Sequence, residues 1–130
     1  MSNIEELIYT AVTGNAGIAA LVSTRVYPMM LPQEPTLPAI TYQRISTPRV
    51  TAHDGGTGLE YPRFQFDVYA ATYAGARALA KLLVALFNAK KSAVTTGTVT
   101  FVESDRDNYD PDTGVFRRMV DVVLWCNDDA

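Results

Sequence analysis

Arg63-Phe64-Gln65-Phe66-Asp67-Val68-Tyr69 is followed within three residues by an alanine-rich stretch running from Thr72 to about Asn88. The first run alternates. Phe64, Phe66 and Val68 fall on one face and Arg63, Gln65, Asp67 and Tyr69 on the other, the pattern of an antiparallel strand buried on one side. In the second run Ala76, Leu79, Ala80, Leu83, Leu86 and Phe87 recur at helical spacing as a wide apolar stripe, with Thr72 placed to cap it. The back of this helix carries Arg77, Lys81 and Asn88 between Ala74, Ala78 and Ala85. Alanine there serves helix propensity, and it equally leaves room for close approach by another surface.

Working outward, the N-terminal side predicts two short helices. Ser2 and Glu5 have capping-box spacing ahead of Ile4, Leu7, Ile8, Ala11 and Val12, and Gly14 ends that helix. A second helix, from about Ala16 to Val22, is capped by Asn15 or by the Gly14-Asn15 pair. A small strand over Thr24–Tyr27 stops at Pro28. Pro28, Pro32, Pro35 and Pro38 then keep residues 28–38 extended, since proline fits neither a helix interior nor a central strand. Ala39 to Ser46 alternates as a strand. Residues 47–60 read as a long loop with a glycine-rich tip, Asp54-Gly55-Gly56-Thr57-Gly58, and loops of this length in a small domain are typically functional or disordered.

On the C-terminal side a threonine-rich strand is predicted over Val94–Glu103. An acidic loop follows, residues 103–114, holding Asp105, Asp107, Asp110 and Asp112. The last strand, Phe116 to Cys126, has Val120, Val122, Leu124 and Cys126 on one side and Met119, Val123 and Trp125 on the other. Its second half is apolar on both faces, as in a central strand covered on both sides. The expected fold is therefore α+β: a mostly antiparallel sheet of about four strands, with one long helix and the short N-terminal helices packed on it. If those helices do not cover the sheet, a neighbouring subunit must.

A chain of 130 residues predicts a single domain, residues 1–130. Apolar content of 48% against 19% charged is that of a globular chain rather than a disordered one. A net charge of −3 offers no basic footprint for reading nucleic acid. One cysteine, Cys126, and one histidine, His53, exclude an internal disulfide and a Cys/His zinc site, and Cys126 in an apolar strand reads as a buried thiol. Met1–Thr13 lacks the basic and apolar regions of a signal peptide, and no segment approaches the ~20 apolar residues of a membrane span. A protein made in the cytoplasm, with no membrane partner, is expected.

The residue constellations favour contact over catalysis. His53 beside Asp54 has no nucleophile or orienting group placed by motif. Asp105 to Phe116 fails the calcium-loop pattern, because Asp110 stands where glycine is needed and Phe116 where glutamate is needed. Gly14-x-x-Gly17 and Gly55-Gly56-x-Gly58 lack the strand, helix and Lys-Ser/Thr ending of a phosphate loop. No cofactor, metal or enzymatic activity is expected. The candidate functional residues are those of two interaction loops: His53, Asp54, Gly55 and Gly56 in one, Asp105, Asp107, Asp110 and Asp112 in the other.

Arg25-Val26-Tyr27-Pro28, Pro38 to Ile45, Phe64 to Ala70 with Thr72 to Arg77, and Tyr109 to Arg118 with Asp121 to Trp125 together resemble the tail terminator, or tail completion, proteins of long-tailed phages, prophages and gene transfer agents. Each piece is weak alone; their order, spacing and the chain length carry the resemblance. It implies a virion protein at the head-proximal end of the tail, assembled in the host cytoplasm as a ring of six subunits. Its implied partners are other copies of itself, the tail tube protein, whose polymerisation it stops, and the head-completion or connector protein. DNA would pass through the ring without sequence-specific binding, and an acidic wall would leave it free to slide. A different head–tail connector, a tube-like ring protein or a small ligand-binding domain are the alternatives.

Overall fold

The computed structural model describes residues 4–33, 36–46, 49–52, 55–60, 62–88, 90–91 and 99–127. The expected cap Ser2, the tip His53–Asp54, the start of the strand predicted from Val94, and the side chain of Cys126 lie outside what is described. Among the described residues three helices and eight strands follow in the order α1 (Ile4–Thr13), α2 (Ala16–Val22), β1 (Val26–Pro28), β2 (Ala39–Ser46), β3 (Arg49–Ala52), β4 (Gly55–Glu60), β5 (Arg63–Ala70), α3 (Tyr73–Phe87), β6 (Lys90–Lys91), β7 (Val99–Asp110) and β8 (Val115–Asn127).

The main sheet runs β1-β2-β5-β8-β7. Every pairing in it is antiparallel except β1 with β2, which is parallel. Two small additions complete it. The β3–β4 hairpin joins the far end of β8 through Leu59 opposite Asn127 and Glu60 opposite Cys126. β6 pairs Thr100 and Val99 on the outer edge of β7. The sheet is thus wider than the four strands the sequence predicts, because Arg49–Ala52 and Gly55–Glu60 are strands within the expected loop, and β7 is longer because it takes in the acidic run as far as Asp110. Glycine and clustered carboxylates hide a strand from pattern reading. Pairing with β8 supplies the hydrogen bonds that local propensity does not favour.

Register sorts the side chains onto two faces. Tyr42 pairs with Phe66 and Phe66 with Val120; Phe64 pairs with Val122. These residues, with Ile40, Val68 and Leu124, form the core with Ile8 and Val12 of α1, Ile18 and Val22 of α2, and Leu79, Leu83 and Phe87 of α3. Phe66 and Phe87 stack at 5.2 Å between ring centres. Each such fully buried side chain contributes roughly 1.5–3 kcal/mol by leaving water. All three helices therefore lie on one side of the sheet. Their ends follow the sequence: Asn15 accepts from the Ile18 amide and Thr72 from the Gly75 amide, each satisfying a helix-start donor. At the other end of α3 the Thr100 hydroxyl donates to the Phe87 carbonyl at 2.6 Å, so β7 caps the helix.

Candidate functional site

The face of the sheet away from the helices carries the odd-numbered residues of β5 and β8. Thr41, Asp67, Met119 and Arg106 lie side by side across β2, β5, β8 and β7, and Gln43, Gln65, Asp121 and Ser104 form the next row. No described helix packs on this face, yet Thr41, Gln65 and Asp67 are buried. A polar network closes over them. Arg117 donates to one Asp67 oxygen at 2.7 Å, and the Gln65 amide nitrogen donates to the other at 2.8 Å. Arg106 donates to Asp121 at 3.0 Å and to the Gln65 amide oxygen at 3.3 Å, while the Ser104 hydroxyl also reaches Asp121. Arg117 in turn lies over the Tyr69 ring at 5.6 Å. The arginine stems cover the sheet, and the Arg117 Nε and one Asp121 oxygen are buried in the network without a hydrogen-bond partner.

This polar strip is flanked by apolar surface. At one end Phe101 pairs across to Val123, and Val99 to Trp125; Phe101 and Trp125 are exposed. At the other end, a cleft of about 570 Å³ opens between the proline-rich connection and the β7–β8 turn. Leu31, Pro32, Leu37, Tyr69 and Val115 line it, with Arg117 on its wall. Arg117 is already committed to Asp67, and Asn108, Asp110 and Thr113 of the turn add polar groups to the otherwise apolar lining. Met29 and Met30 beside it are the most exposed large apolar residues described.

The carboxylates picked out in the sequence fall in two different settings. Asp105 and Asp107 lie on the helix side of β7, in the strand and not in a loop. Both face Arg118, at 2.9 and 3.4 Å, and the Tyr73 hydroxyl donates to Asp107 at 3.2 Å. Burial pulls the Arg118 pKa down, but its hydrogen bond to the Asp105 carboxylate and the charges of Asp107 and Asp105 outweigh this and raise the pKa. Glu103 is paired with Arg63. Asp110 and Asp112 belong to the turn that joins β7 to β8. There Asp110 accepts from the Asp112 amide, and Gly114 closes the turn at φ +71° with its amide bonded to the Asp110 carbonyl. Left-handed backbone of this kind favours glycine.

Gly55 and Gly56 open β4 opposite Ala52 and Thr51. The two candidate segments are therefore not neighbours. The hairpin sits at the Asn127 end of β8 and the acidic turn at its Val115 end, about 40 Å apart at the usual rise of a strand. Sequence reading missed the arginines. Arg106, Arg117 and Arg118 are spaced as ordinary strand residues, and only the register shows that Arg118 neutralises Asp105 and Asp107 while Arg106 and Arg117 pair with Asp121 and Asp67 on the open face. Among the described residues no group of histidine, cysteine, aspartate or glutamate could hold a metal ion. No described helix is long and apolar enough to cross a membrane.

The family model described as tail completion protein gp17 matches residues 6–127. A chain from the virion of a native gene transfer agent (GTA) particle shares the fold, with a TM-score of 0.74 at 17% sequence identity, covering 98% of this chain and 96% of that one. Comparison with curated proteins returned no match.

Proposed function

Since the chain belongs to the tail completion protein gp17 family, we propose that it forms a ring on the head-proximal end of a phage-type tail tube, where it stops tube polymerisation and presents a face for head joining. The coarser part of this reading follows from membership: the protein has a structural role in a phage-type tail, and its place is the virion tail. The observation that carries the finer part is the extent of the family match, residues 6–127, which takes in the whole sheet, the helices and both candidate segments. The likeness to a chain of a gene transfer agent virion supports it.

The geometry suits a ring subunit that meets two different partners. The β3–β4 pair and the β7–β8 turn lie at opposite ends of β8, so the subunit offers two separate contact regions. The open sheet face, with its paired charges and exposed Phe101 and Trp125, is the kind of amphipathic surface that assembly covers. DNA would pass through the ring held by no net basic surface, since the chain is acidic overall. The test is particle assembly with the gene deleted. Tubes of uncontrolled length and heads left unjoined are expected, and adding purified protein should restore both. Tails of normal length in the deletion, or one copy per tail in imaged particles, would overturn the proposal.

A further inference from the structure

Pairing the charged side chains one by one leaves a remainder. Among the described residues Glu5 holds Arg44, Glu103 holds Arg63, Asp121 holds Arg106, Asp67 holds Arg117, and Asp105 and Asp107 share Arg118. Arg25 donates to the carbonyls of Leu21 and Pro38, and Glu6 is engaged as well. Of the remaining described side chains, Arg77 and Lys81 have no opposite charge, and neither do Asp110 and Asp112. The first two are exposed, one helical turn apart on the outer face of α3, a helix with no acidic residue. The other two are exposed on the β7–β8 turn beside exposed Tyr109.

These remainders are opposite in sign, lie on different surfaces, and do not meet within one chain. We infer that the β7–β8 turn of one copy docks on the outer face of α3 of the next, setting Asp110 and Asp112 against Arg77 and Lys81. The inference rests on the ring reading above and names the contact that would build it. Ala74 and Ala78 beside the two cations let the turn come close to the helix backbone. Asp110, fixed by its bond to the Asp112 amide, presents the carboxylates on a preformed tip. Because the two surfaces differ, the contact is head-to-tail, the kind that repeats around an axis until the ring closes. Charge complementarity would steer the encounter and fix the register, so assembly should weaken as salt rises.

Two double variants test it. One carries Arg77→Glu with Lys81→Glu, so that helix and turn are both acidic. The other carries Asp110→Lys with Asp112→Lys, so that both are basic. Each meets only like charge in its own copies, and the ring fraction on purified tail tubes should fall at least about tenfold, because like-charge juxtaposition costs several kcal/mol. Mixed in equal amounts, each variant's helix finds the other's turn, and an alternating ring of even number should recover. Circular dichroism of each variant alone confirms folding, and Asp110→Asn, which keeps the turn's hydrogen bond, separates lost charge from lost turn. Reversed variants that form rings as the natural chain does would overturn the contact and leave the ring reading standing. Failure of the mixture to recover from two folded variants would overturn it equally. Tubes that bind no ring of the natural chain would overturn the ring reading, and this contact with it.

Discussion

Arg117→Met should destabilise the protein more than Asp67→Asn, although both remove the same ion pair. The pair is short, 2.7 Å, but unevenly placed: the Asp67 side chain is 6% exposed and that of Arg117 is 34% exposed. Removing Arg117 leaves a buried carboxylate with only Gln65 as partner. Removing the Asp67 charge leaves a guanidinium that can turn to water. Charges about 4 Å apart interact by roughly 1 kcal/mol in water and about 4 kcal/mol at an effective dielectric of 20. Breaking a buried pair costs about 3–5 kcal/mol. We therefore expect about 3 kcal/mol for Arg117→Met and about 1.5 kcal/mol for Asp67→Asn, with the double variant at least 1 kcal/mol below their sum. For a domain of this size about 3 kcal/mol lowers Tm by roughly 10 °C. Urea unfolding of the natural chain and the three variants, at constant m-value, completes the cycle. Single costs under about 0.5 kcal/mol, or a coupling within the ~0.3 kcal/mol scatter of independent sites, would refute the idea that this network seals the open face.

Thr100→Val keeps the shape but strands the Phe87 carbonyl at the end of α3, and should cost about 1–3 kcal/mol by chemical denaturation. Gly114→Ala forces a Cβ into left-handed backbone at φ +71° and should cost about 1 kcal/mol, read as a lowered urea midpoint without loss of β content. Burial, with help from Tyr9 and Glu5, raises the Tyr42 pKa above its ordinary 10.0. The folded state then holds this proton more tightly than the unfolded one. Its contribution is intact below pH 10 and fades as pH rises through the higher folded value. Tyr42→Phe should flatten the alkaline end of a stability-against-pH curve while leaving neutral pH nearly unchanged.

Much of this architecture was legible because apolar spacing recorded it. The alternation of Phe64, Phe66 and Val68, the stripe from Ala76 to Phe87, and the caps Asn15 and Thr72 all stand where the sequence puts them. The sequence also pointed to apolar surface on both sides of the last strand. Val123 is nonetheless buried and Trp125 exposed, so the second face is only partly covered in one chain. What stayed hidden was long-range pairing. Glu103 to Asp110 has no apolar alternation, because an edge strand exposed on both faces needs none, and the charges from Glu103 to Asp107 are balanced by residues from β5 and β8. Gly55 to Gly58 reads as a flexible tip, and only the attachment of β4 to the end of β8 makes that segment a strand. The candidate carboxylates were visible as residue types, but which of them are already neutralised was not, since that depends on register.

β8 is also the strand that β5, β7 and β4 all require, and it comes last of the eight in chain order. During synthesis β2 and β5 can pair as soon as both have emerged, yet one edge of β5 stays unpaired until residues 115–127 have been made. For that interval Phe64, Phe66 and Val68 lie beside an open hydrogen-bonding edge, the combination that invites strands of other nascent chains. Closure then comes in a single late step, joining contacts far apart in sequence, which is intrinsically slow. Overexpression is where the arrangement should fail first, through aggregates nucleated on β5 before β8 arrives.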